Sequence, residues 1–299
     1  MKILSFGSMN IDNTYSVDEF VQPGETMTAK NLSKFCGGKG LNQSIALASA
    51  GADVAHFGCV GEDGYILLDM LKSRGVNTDS VIKIDNITSG HAIIQVDSHG
   101  QNSILLYPGA NRRMTPELID RELEKYSCGD WLLIQNETNC LEYIMRAANK
   151  KGMKIAFNPS PMDGTVSTLP LELVDLFLVN EIEGAAVTGK EITEEITEEF
   201  EKLFPNAAVI LTLGKKGSIF KSEKDMLFQP SYCGTVKDTT GAGDTYTGFF
   251  IANYINGVSP QECMRIAAMA STVQISRDGA AIAIPTKQEV LNALKNHCR

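Results

Sequence analysis

The fold is decided by the stretch WLLIQNETNCLEYIMRAANKKGMKIAFNPS, residues 131–160. It opens on a short, wholly apolar run at 131–134 and turns polar at Gln135-Asn136-Glu137. Residues 141–150 then carry apolar side chains at helical spacing, and a second apolar run at 155–157 turns polar at Asn158-Pro159-Ser160. A strand apolar on both faces, a helix and another such strand together indicate a parallel sheet covered on both sides. Outward from this unit the same rhythm recurs at 3–6, 176–179 and 209–213, with a second helical pattern at 192–203. Polar residues also follow these runs, at Ser8-Met9-Asn10, Asn180-Glu181 and Thr212-Leu213-Gly214, which predicts five loops on one rim. Ligands of such sheets bind beyond the carboxyl ends of the strands, so function is expected there.

Two segments break the rhythm. Residues 14–36 have no helical period and carry Pro23-Gly24, while 91–107 reads as strands at 92–96 and 103–106 around a Ser98-His99-Gly100 turn. Together they predict a small β insertion above the rim. Its apolar residues Ile93, Ile94, Val96, Ile104, Leu105 and Leu106 need a cover, as a lid or a dimer contact supplies. Residues 184–190 mimic a phosphate-binding loop, but Glu191 stands where Ser or Thr is required, and a helix precedes instead of a strand. Gly189 is better read as a helix stop.

The net charge of −9 argues against a nucleic-acid or anionic-membrane partner. No apolar run is long enough to span a bilayer, and the first is too short for a secretion signal. The seven cysteines are odd in number with no Cys-x-x-Cys, and the histidines are scattered. Reduced thiols in a cytoplasmic protein, without a His or Cys metal site, are the expectation.

The chemistry concentrates in Asp238-Thr239-Thr240-Gly241-Ala242-Gly243-Asp244-Thr245, where small residues lead directly into an amphipathic helix. Without bulky side chains, the amides of Ala242, Gly243 and Asp244 can converge on an anion at the helix N-terminus. Asp244 in the first turn can accept a proton from an incoming hydroxyl, and an anion cradle beside a base is what phosphoryl transfer needs. The bland alternative is an ordinary helix entry with Asp as a cap. A second segment, Gly37-Gly38-Lys39-Gly40-Leu41-Asn42-Gln43, opens a helix expected at 44–50 and offers Lys39 and Asn42 to hydroxyls. In the third, Gly7-Ser8-Met9-Asn10-Ile11-Asp12, the alternate residues Asn10 and Asp12 point the same way and can grip two hydroxyls, unless they merely form an Asx turn.

Taken together, these segments resemble the ribokinase-like (pfkB) carbohydrate kinase family. Its two signatures stand at 37–42 and 238–244, and further matches run from 7–12 and 23–26 through 108–111, 158–161, 180–183 and 211–214 to 277–280. The resemblance implies one α/β domain over 1–299, with a mostly parallel sheet, helices on both faces and a β-sheet lid from about 14–36 and 91–107. It implies phosphorylation of a small sugar's terminal hydroxyl, first of all D-ribose to D-ribose 5-phosphate, with ATP, Mg²⁺ and K⁺, in a homodimer formed through the lid. The alternatives are a sibling kinase for deoxyribose, another sugar or a nucleoside, and a non-catalytic sugar-binding or regulatory protein on the same fold. Asp244 would be the general base, and Gly241, Ala242 and Gly243 the anion hole. Asn10, Asp12, Gly38, Lys39, Gly40, Asn42 and Glu137 match sugar-contacting positions. Asn180, Glu183, Thr212, Gly214 and Gly217 match nucleotide positions, and Asp238, Thr240, Arg277 and Gly279 match loops that hold the monovalent cation, mainly by backbone. Two departures stand out: Ala267-Ala268 where relatives often carry Asn or His near the adenine, and Ala283 where the cation loop usually has Ser.

Overall fold

The computed structural model describes residues 1–297, so Cys298 and the end of the expected 1–299 domain lie outside the described residues. Its strands, in chain order, are β1 (Ile3–Phe6), β2 (Asn10–Ser16), β3 (Asn31–Gly37), β4 (Val54–Val60), β5 (Val81–Lys83), β6 (Gly90–Val96), β7 (Asn102–Tyr107), β8 (Trp131–Gln135), β9 (Lys154–Asn158), β10 (Leu176–Asn180), β11 (Ala208–Thr212), β12 (Ser218–Lys221) and β13 (Met226–Gln229). The helices are α1 (Lys39–Ala50), α2 (Tyr65–Ser73), α3 (Pro116–Leu123), α4 (Leu141–Lys150), α5 (Glu181–Thr188), α6 (Thr193–Leu203), α7 (Ala242–Tyr254), α8 (Pro260–Gln274) and α9 (Lys287–His297).

The main sheet runs β13-β12-β11-β10-β9-β8-β1-β4-β5, and every pair from β11 to β5 is parallel. Only the terminal hairpin β12–β13 is antiparallel. Strand side chains alternate between faces, so a sheet covered on both sides has two cores. Ile3, Leu133, Leu176, Leu178 and Ile210 pack with α1, α2, α7, α8 and α9. Their neighbours Leu4, Leu132, Phe177, Val179 and Val209 pack with α3, α4 and α6. Each fully buried Leu or Phe is worth about 1.5–3 kcal/mol, enough for these alternating runs to dictate the layers. No helix among the described residues is long and apolar enough to cross a membrane.

The smaller sheet has the order β3-β2-β6-β7, with β2–β6 parallel and the other pairs antiparallel. It differs from the expectation at its inner end. β2 begins at Asn10, not near residue 14, so Asn10 and Asp12 lie on a strand of this sheet. The helix after the first glycine block also begins early, at Lys39 instead of 44. A Cβ on Gly40 would fall 2.5 Å from the carbonyl carbon of Gly7, so glycine is what lets this first turn sit against the end of β1. Gly189 ends α5 in the left-handed conformation (φ 70°), as a helix stop should.

Candidate active site

The five expected loops are neighbours, because the strands that end in them, β11, β10, β9, β8 and β1, are consecutive in the main sheet. Over this rim two helix N-termini meet. A Cβ on Gly248 of α7 would come within 2.4 Å of the Ala46 Cβ on α1, so only glycine permits this approach. It brings Asn42 and Gln43 of α1 onto Asp244, which is buried in the first turn of α7.

Both oxygens of Asp244 are held. Asn42 Nδ2 donates to Oδ2 at 3.0 Å, and Gln43 Nε2 donates to Oδ1 at 2.9 Å. Gln43 Nε2 also reaches Asn158 Oδ1 at 3.1 Å, and Gln43 Oε1 accepts from Gln135 Nε2 at 2.8 Å. Asn158 in turn donates to the Leu178 carbonyl at 2.8 Å. Gln135, Gln43 and Asn158 are site residues that the sequence does not single out, although Gln135 and Asn158 fall in the predicted rim loops. The carboxylate is thus oriented by a buried amide chain tied to three elements, although Asn42 Oδ1 and Gln135 Oε1 are buried without a partner.

The remaining expected residues divide into groups. Glu137 accepts from the Lys39 amide at 3.0 Å and from the Ser8 hydroxyl, with Oε2 as the acceptor in both. Burial pushes the Glu137 carboxyl above its ordinary range, against the opposing pull of Ser8 and Lys39. Burial works to lower the Lys39 ammonium, but Asp244, Glu137 and Glu183 together carry it above its ordinary value. Asp12 is raised to about 6 by burial and by Glu137. Asn10 is fixed by Asn111, whose Nδ2 donates to Asn10 Oδ1 at 2.8 Å. Gly38 (φ 94°) makes the turn into α1, with Gly40 in its first turn.

A cavity of about 240 Å³ opens beside Asp244, lined by Lys39, Asn180, Glu183, Thr212, Gly241 and Asp244 among others. Asn180 and Glu183 form a reciprocal cap of α5: the Glu183 amide donates to Asn180 Oδ1 at 2.8 Å and the Asn180 amide to Glu183 Oε2 at 3.0 Å. Gly214 (φ 54°) and Gly217 (φ 122°) shape the turn from β11 into β12 instead of lining the cavity. Gly241 (φ 78°) caps α7; the Ala242 amide donates to the Thr239 carbonyl at 3.2 Å, and the Gly243 amide lies in the first turn, where a helix leaves its donors without intrahelical acceptors. Ala267 and Ala268 are buried in α8.

The cation loops come together around something else. Asp238 accepts from the amides of Thr240 (2.9 Å) and Gly279 (3.0 Å), which tie the two loops; against burial, the Thr240 side chain and then these amides hold its carboxyl low. The carbonyls of Thr240 and Gly279 point at the side-chain nitrogen of Gln274. The Arg277 side chain points to Glu289, at 2.5 Å, while the expectation for this residue concerned its backbone. An ion and the Gln274 amide cannot share one cluster, so these residues as they stand do not fit a monovalent cation.

Comparison with known proteins agrees with the geometry. The pfkB family of carbohydrate kinases matches residues 1–287. The ribokinase of Haemophilus influenzae is 33% identical over 298 residues, covering 97% of both chains. A ribokinase structure from Thermotoga maritima superposes with TM-score 0.88 at 32% identity, over 98% of this chain and 99% of that one. The Arabidopsis thaliana ribokinase, solved with ribose and ATP, superposes with TM-score 0.86 at 29% identity, over 98% of both.

Proposed function

The chain belongs to the pfkB family of carbohydrate kinases, and on that premise we propose that it transfers the γ-phosphoryl group of ATP to the terminal hydroxyl of D-ribose, giving D-ribose 5-phosphate. The observation that carries this reading is Asp244, buried in the first turn of α7 with both oxygens held by Asn42 and Gln43 and the cavity at its side.

In this reading Asp244 takes the hydroxyl proton as the oxygen attacks the γ-phosphorus, the bond from that phosphorus to the bridging oxygen breaks to release ADP, and the proton stays on the carboxyl until product leaves. The Gly241, Ala242 and Gly243 backbone at the helix N-terminus supports the charge on the transferring group, and the Lys39 ammonium adds to it. Asn10, Asp12, Gly38, Gly40, Asn42 and Glu137 hold the sugar. Its hydroxyls satisfy carboxylates that burial otherwise disfavours, which gives Asp12 and Glu137 a reason to be there. Asn180, Glu183 and Thr212 face the nucleotide, while Gly214 and Gly217 shape its loop. Mg²⁺ would arrive with ATP near the oxygen donors of Asn180 and Glu183 and neutralise phosphate charge. This reading gives K⁺ no part in the reaction, which departs from the expectation drawn from the loops.

The smaller sheet is assigned as the lid, and its exposed Leu32, Phe35, Ile104, Leu105 and Leu106 as a homodimer contact. The body and lid act as one domain of a cytoplasmic protein. The test is ADP release with Mg²⁺ATP across ribose, 2-deoxyribose, fructose, fructose 1- and 6-phosphates and adenosine. A preference for ribose is expected. Preference for another sugar discards the substrate and keeps the mechanism. Asp244→Asn should fold normally and lose about 10²–10⁴ in turnover, and near-native turnover would remove Asp244 from the role of base.

A further inference from the structure

We propose that the side-chain amide of Gln274 takes the place of a monovalent cation in this chain, pinning the phosphoryl-binding loop without an ion. Gln274 is the last residue of α8 and is 0% exposed. Its Nε2 donates to three backbone carbonyls: Thr240 at 3.1 Å, Gly279 at 3.2 Å and Ala280 at 3.0 Å. An amide nitrogen carries two hydrogens, so three acceptors share two donors. Oxygens gathered in excess around one point are a cage for positive charge, and here the partial charge of an amide fills it.

The orientation of the amide is settled by its surroundings. Gln274 Oε1 is buried without a partner, a costly state for a carbonyl. Flipping the group would set that oxygen against three carbonyl oxygens and strand the nitrogen instead. The bonds at Nε2 must therefore offset the orphaned oxygen. A second observation points the same way: Ala283 has no hydroxyl to offer where relatives usually carry Ser, and its carbonyl accepts from Arg277 Nη1 at 3.5 Å.

The consequence for the site is positional. Thr240 O belongs to the peptide leading into Gly241, and a Cβ on Gly241 would lie 3.5 Å from Gln274 Nε2. Gln274 thus fixes the peptide from which the amides of Ala242 and Gly243 take their direction. It is a positioning residue that touches neither substrate. The inference rests on the kinase reading for its activity arm only, since its stability arm needs no substrate.

The test compares melting temperature and sugar-dependent ADP release in KCl and in choline chloride at equal ionic strength. The native chain should show no K⁺-specific gain in either measurement. Gln274→Ala, which empties the cluster, should lose about ten-fold or more in turnover in choline and regain both turnover and melting temperature in K⁺, as ligand-linked stabilisation requires. Gln274→Met fills the space without a donor, so it should lose turnover and stay deaf to K⁺. Saturable activation or stabilisation of the native chain by K⁺ would overturn the proposal, as would a Gln274→Ala protein with native turnover and no response to K⁺. If no sugar in the panel is phosphorylated, the kinase reading fails and the melting comparison still decides this one.

Discussion

The rim around Asp244 and the smaller sheet above it are built on opposite plans. At the rim, amide side chains from α1, β8 and β9 close a hydrogen-bonded chain on one carboxylate, and two helices touch through a glycine. In the smaller sheet every residue of β7 is exposed, with Leu105 at 68%. The first region sits on two hydrophobic cores, whereas the second projects from them on strands whose outer faces lack cover. The difference teaches where precision is needed. A proton acceptor must be held to fractions of an ångström, while a cover has only to arrive and leave.

That contrast can be broken most severely at the helix contact. Gly248→Val should cost about 3 kcal/mol or more, because its Cβ alone would stand 2.4 Å from Ala46 Cβ and 2.7 Å from the Leu47 amide. Urea unfolding measures the loss, and a native midpoint would show that the rim yields as easily as the sheet. A middle-sized effect belongs to Asp12, which stands on the smaller sheet but faces the site. Its folded carboxyl, at about 6, lies above the ordinary 3.8, so the native state binds the extra proton and stability falls as pH rises between those values. Asp12→Asn should therefore gain stability over the native chain at pH 7 and gain little at pH 4, while its KM for sugar rises. Equal gains at both pH values would mean that Asp12 is not the titrating group. The smallest effect should come from Leu105→Asn, within about 0.5 kcal/mol of native in urea. Sedimentation should show the same variant weakening the proposed homodimer, and an unchanged dimer would move the contact elsewhere.

Much of this was legible in the sequence because it depends on local pattern. The run at 3–6 and the helix at 141–150 were bounded to the residue, and the two signatures do converge at the rim. The misses share one cause, contact between distant segments. Nothing near Lys39 announces that a helix starts there, since the permission comes from Gly40 lying on Gly7. Gln43 and Gln135 read as ordinary polar residues until tertiary structure makes them a chain to Asp244. Gln274 gave no signal at all, for its meaning is set by carbonyls at 240, 279 and 280. The hairpin β12–β13 gives a weaker signal in the sequence than the central strands, because an edge strand such as β13 is only partly buried.

Three residues, Gly7 to Met9, separate the end of β1 from the start of β2, and Asn10 and Asp12 are already on β2. On the proposed assignment, the strand that projects as the cover is thus also the one that would carry the substrate's anchor points. A sugar bridging those two side chains braces the whole small sheet against the rim. A water molecule is too small to span them, so it can neither brace the sheet nor be aligned by it. If the assignment holds, idle hydrolysis of ATP would be restrained by the way the chain is spliced, before any selectivity of the pocket comes into play.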